Sequence, residues 1–426
     1  MTHRLARRPL SAIVAVSALA MPFAAQAEDV TPEQVVTHYA DLAHTVYTDA
    51  LRTARALDES IEALLASPTP ETLAAARSAW RDARVTYQQS EVFRFGNPIV
   101  DDWEGQLNAW PLDEGLIDYV EADGYQHELG NAGATANIIA SSTINIGGEN
   151  IDVSEITPEL LASLNEIGGS EANVATGYHA IEFLLWGQDP HGYEAGAGER
   201  EVTDFVVGEA CTNDHCDRRR AYLAAASDLL VEDLEWMVNQ WAPIAEENYR
   251  SELLAEPAAE GLRRMLFGMG SLSLGELAGE RMKVALEANS YEDEHDCFSD
   301  NTHNSHYYNG LGIQNVYTGH YQRSDGTDFD GASLESLLEQ QDADLAAQLD
   351  HELKASMAAL SDLKARAEDN ESPMTFDMMI APDNAEGAEV VNNAILALVS
   401  QTGSIEQAAG ALGVSSLQPD DAGHTF

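Results

Sequence analysis

The residues best suited to chemistry are a histidine and a glutamate three positions apart, His179 and Glu182. They lie in the segment GYHAIEFLLWG at residues 177–187, which is otherwise apolar. On a helix, side chains three residues apart project from the same face, so both would point toward the interior that the apolar residues build. A buried carboxylate needs a partner, and helical bundles assemble metal sites from a histidine and a carboxylate one turn apart. The pair is therefore predicted to bind a metal ion.

The same spacing has a second interpretation, in which the two side chains hydrogen-bond each other or serine and tyrosine groups of the core. For an isolated His-x-x-Glu spacing this is the commoner arrangement, because metal sites need three or four ligands. The zinc peptidase motif His-Glu-x-x-His is absent, since His351-Glu352 is followed by Leu-Lys-Ala. Histidine and carboxylate ligands suit iron, manganese or calcium better than a hydrolytic zinc, although they also bind zinc. Binding is thus favoured over catalysis.

A second group of histidines lies in residues 291–321, together with several acidic residues. These histidines are His295, His303, His306 and His320. They suggest a further metal or haem site, but the acids and amides around them equally suit helix caps and contacts between domains, and no Cys-x-x-Cys-His haem attachment is present. The structural interpretation is preferred here.

The elements that must position these residues are predicted to be helices. Thr31-Pro32 is an N-cap followed by proline at the first helical position, and apolar residues then recur at three- and four-residue steps. A break at residues 67–70 precedes another amphipathic stretch at 71–91, and a similar pair recurs at 334–367. We therefore predict an all-α fold of two helical bundles, residues 28–245 and 246–426, with the repeated hairpin suggesting duplication. The short alternating segment 141–146 is the strand candidate.

The amino terminus has the order of a secretory signal. Basic residues at positions 4, 7 and 8 precede an apolar stretch at 10–20 and the small-residue sequence Ala25-Gln26-Ala27. Residues 1–27 are predicted to be a signal peptide, cleaved before Glu28, and no other stretch is continuously apolar at membrane-spanning length. We expect a soluble mature protein in the periplasm or outside the cell.

Charge and cysteine content restrict the partners and the compartment. The formal net charge of −50 repels nucleic acid and anionic lipid, attracts cations, and is typical of a hydrated surface in a saline, halophilic habitat. Cys211 and Cys216 are close enough in sequence to pair in an oxidising compartment, which would leave Cys297 free. In so acidic a chain, Arg84, Arg94 and Arg281 are expected to neutralise clustered carboxylates or, alternatively, to bind an anionic group such as a haem propionate.

Segments along nearly the whole mature chain resemble the imelysin family, also known as the M75 peptidases. The Gly-x-His-x-x-Glu signature stands at 177–182, and the other similar segments are WRDAR at 80–84 with Ser90-Glu91, NAWPLDEGLIDY at 108–119, GELAGERM at 275–282 and EDEHDCFSDNTH at 292–303. The resemblance implies an all-helical, two-domain protein whose signature faces a pocket, in secreted or outer-membrane-associated proteins tied to iron acquisition. It also implies that further carboxylates complete the metal site with His179 and Glu182, and the matching positions are Glu91, Asp113 and Glu276.

Together these features predict an exported protein that binds a metal ion or a metal-containing ligand, iron or haem, during iron uptake. Iron is the preferred metal, with zinc or calcium as alternatives. Two other functions stay open. One is a zinc-dependent metallopeptidase that uses the signature, and the other is a non-catalytic interaction module of an outer-membrane uptake system.

Overall fold

The computed structural model describes Met1 and residues 29–121, 125–245, 247–415 and 417–426. The predicted signal peptide, residues 1–27, lies outside the described residues apart from Met1. The fold is all-α with two small β-hairpins, as predicted. The α-helices are α1 Pro32–Ala66, α2 Pro70–Tyr87, α3 Pro98–Leu107, α4 Pro158–Leu164, α5 Gly177–Trp186, α6 Cys216–Trp241, α7 Tyr249–Ala255, α8 Ala258–Ser271, α9 Ala285–Ala288, α10 Thr302–Thr318, α11 Leu334–Gln341, α12 Ala343–Ala367, α13 Phe376–Met379 and α14 Ala385–Ala411.

The strands form two antiparallel pairs, each closed by a short turn. Strand β1 Thr143–Ile146 pairs with β2 Glu149–Asp152, and β3 His320–Gln322 pairs with β4 Asp328–Asp330. The strand candidate at 141–146 is therefore confirmed as one half of a hairpin. The structure also has short 3₁₀ helices at Gln88–Phe93, Glu114–Leu116, Ile167–Gly169 and Val202–Phe205.

The first helical hairpin begins where its capping residues predict. The Thr31 hydroxyl accepts a hydrogen bond from the backbone N–H of Gln34, and the Gln34 side chain in turn accepts one from the backbone N–H of Thr31. Thr69 caps α2 in the same reciprocal way, and a proline follows each cap. These local bonds satisfy N–H groups that a helix start leaves unpaired, so they fix both helix starts independently of the rest of the fold. Helix α1 then packs along α2 and α6.

Helix α5 is the buried centre of the fold and carries the signature. All ten of its residues are buried, and it contacts α2, α3 and α6. It begins at Gly177, whose φ of +77° favours glycine, and a Cβ there would lie 2.4 Å from the carbonyl oxygen of Leu107. It ends at Gly187, with φ +74°. Glycine is required at the start of the signature because the α3 backbone approaches too closely for a side chain.

Helices α8 and α9 are joined without interruption by a π-helix, Leu272–Val284, which contains Glu276 and Arg281. Such wide turns are rare and occur often at functional sites. The four-residue spacing of Gly275 and Gly279 predicts close packing of another helix. The structure instead brings the carboxyl-terminal segment against them, since a Cβ at Gly275 would lie 2.7 Å from the Asp420 carbonyl oxygen and one at Gly279 would lie 2.5 Å from the His424 ring.

The apolar interior divides into two clusters. The larger one extends from Val35 to Val414 and includes α1, α2, α5 and α6. The smaller one is formed by the π-helix, α12, α13 and α14. Duplication of the bundle is not confirmed, and the boundary near residue 245 stays a prediction.

Cysteines and apolar helices bear on the expected compartment. Cys211 and Cys216 form a disulfide at the start of α6, and Cys297 is a free thiol, as predicted. Within the described ranges, no helix combines the length and the apolar character needed to cross a membrane.

Candidate metal centre

The signature histidine and glutamate bind each other on the buried face of α5. His179 Nδ1 lies 3.0 Å from Glu182 Oε2, and the two side chains are 2% and 0% exposed. The other oxygen, Glu182 Oε1, accepts hydrogen bonds from the backbone N–H of Ser299 at 3.0 Å and from its hydroxyl at 2.6 Å. Both oxygens of Glu182 are thus engaged. In the described part of the chain, His179 Nε2 is buried without a hydrogen-bond partner.

The segment between α9 and α10 brings a second histidine and a carboxylate to His179. The rings of His179 and His295 are 4.7 Å apart between centroids at an angle of 73°. One ligand atom each of His179, His295 and Asp296 lies within 4.8 Å of the other two, and all three residues are buried. His295 Nδ1 also lacks a partner among the described residues. These three residues, here called the His-His-Asp group, combine one predicted ligand with two that the sequence reasoning did not assign.

Arg84 of α2 provides the positive charge beside this group. Its Nη2 donates to Asp296 Oδ1 at 2.8 Å and lies 3.2 Å from His295 Nε2. Its side chain is 1% exposed. Asp296 Oδ2 accepts further hydrogen bonds from Ser305 and Asn301. The expectation that Arg84 neutralises a buried carboxylate is confirmed.

The environment sets the protonation of the three groups. Burial, together with the charges of Arg84 and Arg281, lowers the pKa of both His179 and His295 well below the usual value, so both rings are neutral. Burial would raise the pKa of Asp296, but Arg84, His179 and the hydrogen bonds that it accepts outweigh this and lower it to about 2. Two neutral imidazoles beside an ionised carboxylate are the protonation states in which these side chains bind metals.

Glu182 has the opposite tendency. Burial and the nearby charge of Asp296 raise its pKa well above the usual value, against the hydrogen bonds from Ser299 and the charge of Arg84. The hydrogen bond between Glu182 and His179 Nδ1 holds one proton, and the two pKa shifts favour the carboxyl group as its carrier in the metal-free protein. A cation at His179 Nε2 would favour the state in which that proton lies on Nδ1 and Glu182 is ionised, because the carboxylate then balances part of the added charge.

Two of the other predicted ligands meet elsewhere. Arg281 Nη2 lies 2.6 Å from Glu91 Oε2 and 2.7 Å from Glu276 Oε1. Glu276 is also 3.5 Å from Arg94, which contacts Glu104 as well. The structure thus brings Glu91 and Glu276 together around arginines and not into the His-His-Asp group. The expectation that Arg94 and Arg281 neutralise clustered carboxylates is confirmed.

Asp113, the remaining predicted ligand, is held by a different loop. Its carboxylate accepts hydrogen bonds from the backbone N–H of Glu128 and from the amide of Asn131, at 3.0 Å and 2.6 Å. It is not in the His-His-Asp group. A ligand role for Glu91, Asp113 and Glu276 stays a prediction.

The other histidines of residues 291–321 have separate surroundings. His320 lies 2.7 Å from Asp330 across the second hairpin, His303 contacts Asn304, and His306 packs edge-on against Phe376. Among the described residues, none of the three joins the His-His-Asp group.

A polar cleft of about 580 Å³ leads from the surface to this group. Asn108, Trp110, Glu276, Arg281 and His295 are among its lining residues. His295 therefore belongs to both the cleft and the buried group. Acidic and basic side chains both line the cleft, which suits a cation or a small polar ligand better than an apolar ligand.

Comparisons with known proteins agree with this architecture. The profile of the imelysin family matches residues 43–405. Iron-regulated protein A of Synechococcus elongatus is 25% identical over 323 residues, which cover 74% of this chain and 70% of that protein.

Two solved structures share the fold. A proposed iron-regulated protein A precursor from Parabacteroides distasonis superimposes with a TM-score of 0.64 at 17% identity, covering 89% of this chain and 95% of that one. An imelysin-like protein from Psychrobacter arcticum gives 0.55 at 16% identity, covering 91% and 98%. With a family profile that spans most of its length, the chain belongs to the imelysin family.

Proposed function

We propose that this protein binds a metal ion, preferably ferrous iron, at the His-His-Asp group, and that it does so as an exported component of iron uptake. In this proposal His179 and His295 supply nitrogen ligands and Asp296 supplies an oxygen ligand. Glu182 orients the His179 ring. The observation that carries the proposal is the buried, unpartnered Nε2 of His179 beside a second neutral imidazole and an ionised carboxylate.

The donor set fits the proposed metal. Two histidines and one carboxylate with open positions form the usual ligand set of non-haem ferrous sites. A buried polar atom without a hydrogen-bond partner costs about 1–3 kcal/mol, and a bound cation would supply the missing partner. The contact between Glu182 and His179 Nδ1 is the usual outer-shell arrangement, which fixes the ring and makes the other nitrogen a better donor.

Arg84 limits the affinity that such a site would reach. Its guanidinium already balances Asp296, so an incoming divalent cation meets a like charge close by. Repulsion of this kind weakens binding without preventing it. Moderate, reversible affinity is the behaviour that a carrier of iron requires.

The arginines also bear on the choice between an ion and haem. Arg94 and Arg281, which could receive haem propionates at the cleft, are both occupied by glutamates. Binding haem there would require breaking buried ion pairs, which is costly. A free metal ion therefore suits the site better than haem.

The peptidase alternative lacks a free general base. Zinc peptidases use a glutamate beside the metal to activate water. Glu182 is fully buried, with Oε2 on His179 and Oε1 accepting two hydrogen bonds from Ser299, so it serves as a partner of His179 and Ser299 and not as an open base. This supports binding over catalysis.

Export and iron uptake rest on other features. The predicted leader and the Cys211–Cys216 disulfide suit an oxidising compartment outside the cytoplasm. A relative bears the name iron-regulated protein A. A periplasmic or outer-membrane-associated protein that delivers iron to an outer-membrane uptake system is consistent with all three.

Anaerobic calorimetric titration with Fe²⁺ tests the proposal. We expect saturable binding to the wild-type protein and at least about a hundredfold weaker binding to His179→Ala, since losing a ligand costs more than losing an outer-shell partner. His320→Ala is the matched control, because this histidine also lies beside an aspartate but at the exposed second hairpin. Equal Fe²⁺ affinity in wild type and His179→Ala would contradict the proposal. Metal-dependent peptide cleavage that His179→Ala abolishes would favour the peptidase instead.

A further inference from the structure

A second cluster of acidic side chains includes two residues of the segment that carries His295. Glu294 and Asp300 belong to this segment, and Asp377 belongs to α13. One carboxylate oxygen of each lies within 4.8 Å of the other two. Glu294 and Asp377 are each only 1% exposed, whereas Asp300 is partly exposed.

Most of these oxygens lack a well-formed hydrogen bond. Glu294 Oε1, Asp300 Oδ1 and both carboxylate oxygens of Asp377 are buried and accept no hydrogen bond of ordinary geometry from the described residues. The polar groups nearest to them are Thr302 at Glu294, the backbone N–H of Gly196 at Asp300, and Thr375 with the backbone N–H of Met378 at Asp377. No lysine or arginine in the described ranges forms a salt bridge with the three carboxylates. The charges of Arg81 and His191 reach Asp300 and Asp377 only from a distance.

The surroundings add negative charge to the cluster. The charge of Asp189 raises the pKa of Glu294 and Asp300, and Asp377 in turn raises the pKa of Asp189. Asp189 lines an open cleft together with Glu199, Glu201 and Glu292. Cations would therefore concentrate at the surface next to the cluster. Asp300, as the partly exposed member, would provide the entry from that side.

Three carboxylates held this closely cannot all be ionised without a compensating positive charge, because they are removed from water and repel one another. The alternative is that the carboxylates bind protons, but several of their oxygens would then still lack a hydrogen-bond donor. We propose that Glu294, Asp300 and Asp377 form a second metal site, separate from the His-His-Asp group, for a hard divalent cation of the Ca²⁺ class.

The ligand type and the spacing support this class of ion. All the ligand atoms are oxygens, which hard cations prefer over the imidazole and thiolate ligands that select transition metals. Ca²⁺ binds oxygen at about 2.3–2.6 Å, so two ligands on opposite sides of one ion are separated by about 5 Å. Separations of up to 4.8 Å thus fit a Ca²⁺ ion with little rearrangement.

A cation here would connect two parts of the fold. Glu294 and Asp300 flank the residues of the segment that reach α5, namely His295, Asp296 and Ser299. Asp377 lies between Phe376 and Met379 in the smaller apolar cluster. The ion would tie this segment to α13 and so hold His295 and Asp296 in place.

Calcium binding to chelator-stripped, full-length protein tests the site. We expect Ca²⁺ alone to raise the melting temperature in a saturable manner, and Asp377→Asn to weaken the apparent Kd at least about tenfold. Without Ca²⁺, the same variant should melt at a higher temperature than wild type, because one of three repelling charges is gone. Asp300→Asn, at the partly exposed position, should reproduce the weakened Ca²⁺ response if Asp377→Asn fails to fold.

Two controls separate this site from general effects. Asp383→Asn removes an exposed carboxylate six positions away and should leave the Ca²⁺ response unchanged, with about 1 M NaCl present to screen surface charge. His179→Ala should also keep the full Ca²⁺ response, which makes the test independent of the iron proposal. The inference would be overturned if the melting temperature of the wild-type protein did not respond to Ca²⁺. It would also be overturned if Asp300→Asn and Asp377→Asn both responded to Ca²⁺ as strongly as the wild type.

Discussion

Replacing Arg84 by methionine gives the most informative single perturbation of the buried centre. Methionine keeps the unbranched apolar stem of the side chain and can fill part of the space among Trp80, Tyr87 and Tyr178, over whose rings the guanidinium lies. It removes the charge that balances Asp296 and the hydrogen bonds to Asp296 and Asn108. The change therefore removes the guanidinium and keeps the packing of the stem.

The expected loss of stability follows from the burial of the pair. Arg84 is 1% exposed and Asp296 is 0% exposed, so water cannot replace the lost partner. Removing one member of a buried ion pair typically costs about 3–5 kcal/mol, because an unbalanced charge remains in the interior. Ser305 and Asn301 still donate to Asp296, which places the expected loss at the lower end, about 3 kcal/mol.

The assay is chemical denaturation at pH 7 of metal-free protein, followed by circular dichroism. Arg52→Met is the matched control, since Arg52 lies 3.8 Å from Asp49 but is 52% exposed. Asp49 is 1% exposed but keeps hydrogen bonds from Tyr321, Arg323 and Ser324. Losing the half-exposed Arg52 should therefore cost at most about 1 kcal/mol, and the control should unfold close to wild type. Adding Fe²⁺ anaerobically should then stabilise Arg84→Met more than wild type, because the ion no longer competes with a guanidinium for Asp296. Saturating ligand at about a hundred times its Kd contributes about 2.7 kcal/mol.

Two results would refute this reasoning. If Arg84→Met lost no more stability than Arg52→Met, the charge of Arg84 would not be needed in the interior. If Fe²⁺ stabilised wild type and Arg84→Met equally, Arg84 and the metal would not share Asp296.

Three further predictions concern other parts of the fold. Asp233→Asn should stabilise the protein at pH 8 by about 2 kcal/mol and have little effect at pH 4, which denaturation at both pH values measures. Burial raises the pKa of Asp233 to about 7, so ionising this carboxyl group lowers the stability of the wild type as the pH rises from 4 through 7. Gly177→Ala should destabilise by more than about 1 kcal/mol, because the Cβ would strain the positive φ and meet the Leu107 carbonyl oxygen, and thermal melting would detect it. Glu182→Gln should keep the fold but weaken Fe²⁺ binding about tenfold in the calorimetric titration, because an amide is a weaker acceptor for His179 Nδ1–H than a carboxylate. Unchanged Fe²⁺ affinity would contradict the orienting role of Glu182.

The helices and the signature pair could be predicted because they depend on residues close together in sequence. Thr31 and Thr69 cap helices through bonds to residues three positions on, and proline fixes the next backbone angle. His179 and Glu182 contact each other within one helical turn. Local spacing carries all of this information.

The remainder of the metal centre depends on contacts between distant segments. Ser299 meets Glu182 across 117 residues, and the same segment carries His295 and Asp296 to α5. In sequence, His295 is one of four histidines within residues 291–321, and nothing in its spacing separates it from His303 or His306. Only the path of the chain between α9 and α10 distinguishes them.

Ion pairs and metal sites also use the same residue types. Glu91 and Glu276 have the carboxylates that a metal site requires, but the structure pairs both with Arg281. The choice between an arginine and a cation depends on which side chain reaches the carboxylate in three dimensions, and this is set by the π-helix that carries Glu276 and Arg281.

The most direct test of a metal centre at α5 is a crystal structure of protein soaked anaerobically with Fe²⁺, with anomalous diffraction measured on both sides of the iron absorption edge. The account predicts an anomalous peak within bonding distance of His179 Nε2, a nitrogen of His295 and an oxygen of Asp296. Iron bound only elsewhere, or His179 and His295 unchanged with no peak between them at saturating Fe²⁺, would contradict it.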